Sequence, residues 1–459
     1  MRFQVLVRVL PAVLLLGGCQ SYRSAPPRLD AHAQAWRSRS PDAEGVRSYA
    51  TSLARLNPGE HGPFDVNDGL SLEEGEVVAL LYNAELRVAR LDARVPLMSA
   101  CQAGILDDPE FNLDILRALE SVPSPWILGT GLGFTIPISG RLSAEKTLAF
   151  AEADAARSAA YVAEIDVITR LREAWNQWTT TGERIRLLDT YLEGLQEILR
   201  FAHARREAKQ IGEPELRILE LERVRREGEL ITLRNEEKRQ VLSLKKLMGL
   251  TPDAELTLLA VLSEDAPPAP PQAEQARLRA VNPELALADS RYREAERALQ
   301  LEIRKQVPDL RLGLLYENEE GEPRLGVGGG SALPLWNRNR RAVAESRAER
   351  DAARGAYQAR YEQLVAELAD ARADLFTAAA RDAWVRERVA PMADQQLQDL
   401  RRLGELGDLD VLILKDALTG VLEAKFQILD ARLQKAQAST RIRALIQPPR
   451  TPTTRCSTR

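Results

Sequence analysis

The residues able to carry chemistry are few in kind. The 459-residue chain has three histidines, three cysteines and 67 Asp plus Glu. His32, His61 and His203 form no ligand cluster in the sequence, whereas a metal site needs several such groups at close spacing. The carboxylates are numerous but fall at helical-surface spacing, and no nucleophile or Gly-rich phosphate loop accompanies them. A hydrolase with paired carboxylates is the weakest reading. The chain is expected to be no enzyme, to bind no metal and to need no cofactor.

Cys19 stands apart from the other two cysteines. Arg2 and Arg8 precede an apolar run from Val9 to Leu16, followed by Leu16-Gly17-Gly18-Cys19. A basic start, a short apolar core and small residues before a cut make a secretory signal, too short to span a bilayer permanently. The end of the run resembles a bacterial lipobox, which implies that Cys19 becomes the lipidated first residue of the mature chain, anchored by its acyl chains. Gln20 rather than Asp follows, which resembles an outer-membrane address. Cys101 and Cys456 could pair in an oxidising compartment, but Cys456 lies in a Pro/Thr/Arg tail and both read as incidental.

Long elements frame these groups. The 63 basic and 67 acidic residues nearly cancel, so the strongly basic face that nucleic acid requires is not indicated. Composition leans toward long helices. Residues 1–18 read as the lipoprotein signal and 19–69 as a lipidated tether, because they lack a sustained apolar period. Residues 70–263 read as a first structural repeat, 264–280 as a Pro-rich connector, 281–446 as a second repeat and 447–459 as a disordered tail. Ser71, with Glu74 three residues on, is a helix N-cap signature. Asn83 and Asn282 occupy equivalent places, each with Glu-Leu close behind. Pro137 pairs with Pro334 and Tyr161 with Tyr357 as markers of the duplication.

Each repeat then shows two alternating β-runs. Phe111, Leu113 and Ile115 alternate with polar residues, and Leu128 to Ile136 alternates with glycines. Leu310 to Tyr316 and Leu325 to Leu333 repeat the pattern. Runs of about ten residues suit a tilted strand crossing a bilayer, and equally a soluble hairpin with one buried face. Four strands cannot close a barrel, and an open edge cannot sit in lipid. Several chains would share one barrel; two would give eight strands and three would give twelve. The run from Arg141, free of proline, and the run from Arg340, in which only Gly355 and Pro391 intervene, predict helices of about 65 residues, roughly 100 Å long. Each ends in a Gly-containing turn, at Gly212 in the first repeat and at Gly404 and Gly407 in the second, before a helix returns.

At this point the chain resembles the outer-membrane efflux protein family, the TolC-like outer-membrane factors, over roughly residues 70–446. The resemblance rests on Asn282-Pro283-Glu284-Leu285, on LPLWNRNRRAVAES after the fourth strand, and on LGELGDLDVL at the second helical tip. Leu333 to Asn339 is most similar to the subgroup serving heavy-metal efflux. The resemblance implies a mainly α fold with a transmembrane β-barrel part. It also implies a homotrimer whose twelve-stranded barrel continues into a long α-helical periplasmic tunnel. A periplasmic adaptor and an inner-membrane pump would be its partners and outer-membrane lipid its surroundings. It further places Asp410 at the pore constriction, and Gly212, Gly404 and Gly407 at the periplasmic tips. The sequence departs from the family at Ile413, where a second Asp is common. A ring of carboxylates would concentrate cations; the plainer alternative for Asp410 is a helix start favoured by the macrodipole. A drug-efflux or protein-secretion duct of the same fold, and a non-conducting coiled-coil spacer lipoprotein, remain as alternatives.

Overall fold

The computed structural model describes residues 22–56, 64–117, 119, 126–262, 269–319, 322–405 and 410–449. It divides into two units, the first ending at Ser40. That unit carries helix α1 (Leu29–Arg37). In the second unit, α2 (Glu44–Leu56), α3 (Leu72–Tyr82), α4 (Ala84–Asp92) and α5 (Arg94–Cys101) precede β1 (Glu110–Arg117) and β2 (Trp126–Ile136). The first repeat closes with α6 (Arg141–Glu207) and α7 (Glu213–Leu247). The second repeat runs through α8 (Pro271–Val281), α9 (Pro283–Arg304), β3 (Leu310–Glu319) and β4 (Glu322–Ser331). It continues with α10 (Arg340–Trp384), a π-helical turn (Val385–Val389), α11 (Ala390–Glu405) and α12 (Val411–Ile446).

The duplication is written in buried polar groups. Asn83 caps α4 by accepting from Leu86 N at 2.9 Å, while its amide donates to Leu247 O at 2.8 Å. Asn282 caps α9 by accepting from Leu285 N at 2.9 Å and donates to Leu445 O at 3.0 Å. One side chain thus satisfies a helix start and a carbonyl at the end of the returning helix, which tethers the two ends of each repeat. A second pair of equivalents is ionic. Buried Glu76 pairs with buried Arg172, and buried Glu274 with Arg372. Breaking such a pair leaves an uncompensated charge in the core. Ser71 and Glu74 form the expected capping box.

Burial also sets the phase of the repeat. Ile168, Leu171 and Trp175 on α6 are buried at the same spacing as Leu368, Ala371 and Leu375 on α10. That phase places Tyr161 opposite Tyr361, so the pairing with Tyr357 does not hold. The two bases have separate cores. Val46, Leu53, Val78, Trp175 and Met248 fill the first, and Leu278, Leu364, Ala438 and Ile442 the second.

Two assignments need correction. Within the span read as a tether, α2 packs Val46, Ala50 and Leu53 into the first base core. The connector contains α8, whose Leu278 and Glu274 are buried. In both cases a few apolar residues at helical spacing dock onto a larger helix. Of the tail, residues 447–449 are described, and Gln447 is buried beside Arg443; the rest lies outside the described residues, as does 264–268 of the connector.

The long helices form a row in which α7 lies on α6, α6 on α12, and α12 on α10 and α11. Helix α6 runs unbroken for 67 residues, about 100 Å at the α-helical rise. Its counterpart is interrupted. Pro391 has no N–H to give to the carbonyl of Glu387, and its ring crowds that carbonyl. The wider π turn just before it supplies the room.

Asn282→Ala should lower stability by about 2 kcal/mol, a lost cap plus an unsatisfied carbonyl. Asn282→Asp, which keeps the cap, should fall between it and the parent. Thermal unfolding followed by circular dichroism checks the order; equal melting of all three would show that the tether carries no stability.

Candidate functional site

The four strands form one antiparallel sheet in the order β1-β2-β3-β4. Register assigns the faces. Phe111 pairs with Leu132, Leu132 with Leu314 and Leu314 with Val327. Asn112 pairs with Gly131, Gly131 with Leu315 and Leu315 with Gly326. Because side chains alternate along a strand, one face is mainly apolar across all four strands and the other is mainly glycine and polar residues. Leu315, Leu116 and Ile127 depart from the pattern as apolar residues on this second face, with Leu315 lying over its glycines. The apolar face is exposed, with Phe111, Ile115, Leu325 and Val327 all more than half accessible. Trp126 stands at one end of this face and Phe134 toward the other, with Tyr316 and Phe111 between them at the levels of Thr130 and Leu132.

The motif after β4 forms the corner between sheet and helix. Arg338 and Asn339 take the left-handed conformation, at φ 44° and 51°. Asn339 donates to Glu302 O at 2.9 Å and to Glu302 Oε2 at 2.7 Å, fastening the start of α10 to the end of α9. Burial alone would raise the Glu302 pKa, but hydrogen bonds from Lys305 and Asn339 hold it below the usual carboxylate value. Leu333, Leu335 and Trp336 project into solvent beside this corner.

At the first tip the chain reverses through Lys209, at φ 57°. Gln210 N donates to Arg205 O and Lys209 N to Arg206 O, both at 2.9 Å, which makes a Schellman turn. Gly212 is therefore not the residue that makes the turn. With φ −87° and ψ 165° it is the N-cap of α7, its N–H donating to the Glu215 carboxylate. At the second tip Gly404 still lies within α11, so it does not make the turn either. Gly407 lies outside the described residues. Asp410 is the N-cap of α12, with Oδ1 accepting from Leu412 N at 2.8 Å and Ile413 N at 3.4 Å. A carboxylate here neutralises orphan N–H groups and meets the positive end of the helix. Asp410 and Gly212 are equivalent positions, both starting a return helix. Asp410 and its neighbour Ile413 are exposed.

The other candidates separate. Cys19 and His61 lie outside the described residues. Cys101 is half of a disulfide, so it is not incidental; its partner lies outside the described residues. Among those described, no cluster of His, Cys, Asp or Glu suits a metal ion. Two exposed apolar stripes run along the helices: Val88, Leu91, Val95 and Met98 on α4 and α5, and Leu221, Val224 and Ile231 on α7. Their three-four spacing is that of a helix–helix seam and was available as a signal.

No protein-family profile matches the sequence, and no curated protein does. Solved structures do match. OprN, an outer-membrane channel, superposes with a TM-score of 0.72 at 18% identity, over 94% of this chain and 99% of its own. CusC, which forms a transmembrane channel, gives 0.71 at 14% identity over 86% and 96%. VceC, an outer membrane protein of Vibrio cholerae, gives 0.70 at 17% over 82% and 96%. The chain therefore has the fold of these outer-membrane channel proteins.

Proposed function

We propose that this protein is the outer-membrane exit duct of a tripartite efflux system. It is lipidated at Cys19 and passively conducts what an inner-membrane pump and a periplasmic adaptor deliver. The observation that carries the reading is the sheet. It has an apolar face exposed over four strands, and β1 and β4 are open edges. Among the described residues no helix is long and apolar enough to cross a membrane. An apolar sheet enters lipid only when its edges are paired. Three copies edge to edge close twelve strands, and the row from α7 to α10 closes beneath them as a tunnel. A spacer lipoprotein has no use for the apolar band.

The cargo we propose is metal cations. Three copies of Asp410 at the tips make a ring of carboxylates that favours cations. The exposed Ile413 beside it, where a second carboxylate would strengthen the ring, favours the second reading, export of organic compounds. The tips are the surface we assign to the adaptor.

Two measurements test this. A strain lacking the gene should become sensitive to metal salts in a panel that also holds dyes, detergents and antibiotics. The intact gene should restore resistance and a Cys19→Ala copy should not. Sensitivity confined to organic compounds would remove the metal cargo and leave the duct. In planar bilayers the purified protein should conduct with a preference for cations. Asp410→Asn should reduce that preference while keeping the helix cap, whereas Asp410→Ala should in addition cost about 1 kcal/mol of stability. An unchanged reversal potential in Asp410→Asn would take Asp410 out of the selectivity.

A further inference from the structure

The two corners between sheet and long helix treat charge differently. At the first, Pro137 leads into α6, and Arg141 is answered by three carboxylates: Asp107 at 3.3 Å, Glu145 at 2.8 Å and Asp309 at 3.4 Å. At the second, Pro334 stands in the place of Pro137 and Arg338 in the place of Arg141, with Arg340 and Arg341 close behind. Arg338 Nε donates to Pro334 O at 3.2 Å. Among the described residues no carboxylate pairs with any of these three guanidiniums. Glu302 at the same corner is engaged by Lys305 at 2.6 Å and by Asn339 at 2.7 Å.

Positive charge at this corner is costly when left alone. The first turn of α10 holds Arg340 and Arg341 and no acidic residue, so two cations stand at the positive end of a long helix. The same corner also exposes apolar surface: Leu333 is 74% accessible, Leu335 59% and Trp336 85%. Leu333 is in phase with Leu325 and Val327 and carries the apolar face of the sheet beyond the end of β4. An exposed apolar trio backed by unpaired guanidiniums matches a surface that is hydrocarbon on one side and anionic on the other.

We propose that the corner after β4 is a docking site for an anionic phospholipid in the leaflet nearer the helices. This rests on the duct reading above, which sets the apolar face of the sheet in lipid, and it names the lipid chemistry at the rim of that face. Leu333, Leu335 and Trp336 enter the boundary between acyl chains and headgroups, where an indole keeps its ring in apolar surroundings and its N–H toward water. Arg338, Arg340 and Arg341 take the phosphodiester, whose oxygens suit the guanidinium fork. A phosphatidylethanolamine headgroup would bring an ammonium into a site that is already positive, and phosphatidylglycerol brings none. Closure of the ring sets the base of β1 from the next copy on this flank, with Asp108 and Glu110. Two carboxylates against three guanidiniums leave the corner positive.

Full-length protein in nanodiscs of phosphatidylglycerol and phosphatidylethanolamine in equal parts tests the site. Native mass spectra of the released protein should show phosphatidylglycerol retained in preference. Arg340→Gln with Arg341→Gln should lower that retention by about fivefold for each guanidinium removed, whereas lysine at both positions should keep most of it. In the same discs, phospholipid brominated near the top of its acyl chains should quench the fluorescence of the parent more than that of Trp336→Phe. Equal retention of the two lipids by the parent, or unchanged retention in the glutamine variant, overturns the headgroup site. A loss with lysine as large as with glutamine makes the effect structural and overturns it too. Equal quenching of the parent and Trp336→Phe removes the corner from the boundary, and this comparison decides where the glutamine variant fails to assemble. A parent that does not enter the discs overturns the duct reading, and the lipid site with it.

Discussion

An unpaired strand edge carries a row of N–H and C=O groups that hydrocarbon cannot satisfy. Here that constraint falls on β1 and β4, and much of the structure follows from it. The sheet offers an apolar face suited to lipid, yet its two edges forbid a single chain from using it. The helices repeat the situation in another solvent. In their row, α7 and α10 are the outer members, and each carries apolar side chains with nothing of their own chain over them. Sheet edge and helix edge lie on the same two flanks of the repeat pair, so whatever closes one closes the other.

The duplication answers the constraint economically. The joint between repeats shows how one copy of the unit seats on the next, at the strands and along the helices together. Buried polar residues fix each unit. Asn83 and Asn282 each hold a helix start to the end of the returning helix, and the Glu–Arg pairs hold the first helix of each repeat to its long one. Polar groups in a core are costly unless matched. Matched twice in the same way, they set the same unit geometry in both halves. Against that common frame the differences are informative. The first long helix is unbroken, the second bends past Pro391 through a π turn, and the return helices start from Gly212 in one repeat and Asp410 in the other.

Much of this was legible in the sequence. Period-two alternation gave all four strands and the faces they present, since nothing but the pleat is needed to read it. The absence of proline marked the first long helix almost to the residue, whereas the second run, which holds Pro391, is interrupted by the π turn at Val385–Val389. The paired asparagines were visible as equivalents, though not as the tethers they are, because a bond to a carbonyl some 160 residues away leaves no local trace. Other features were hidden for definite reasons. Three apolar residues in α2 were too few to stand out in a polar segment, and docking onto the base of α6 supplied the rest of the signal. The reversal at the first tip falls on Lys209, a residue type that announces no turn, while the glycine beside it caps a helix. Gly404 reads as a breaker, yet it sits inside α11, where packing of the tip outweighs a glycine's small helical penalty. For Asp410 the sequence offered two roles; the capping geometry is present in one chain, and the other role involves three.

The exposed apolar face also bears on how such a chain comes into being. A newly made copy in water displays a four-stranded sheet with greasy side chains on one face and two edges ready to accept a strand from any neighbour. That is the chemistry of aggregation as much as of assembly. The interval between emergence of the chain and its meeting with its own kind is then the hazardous part of its life. Escort by a holding protein, rapid capture by a membrane surface, or a leash that keeps siblings together on one bilayer would each shorten it.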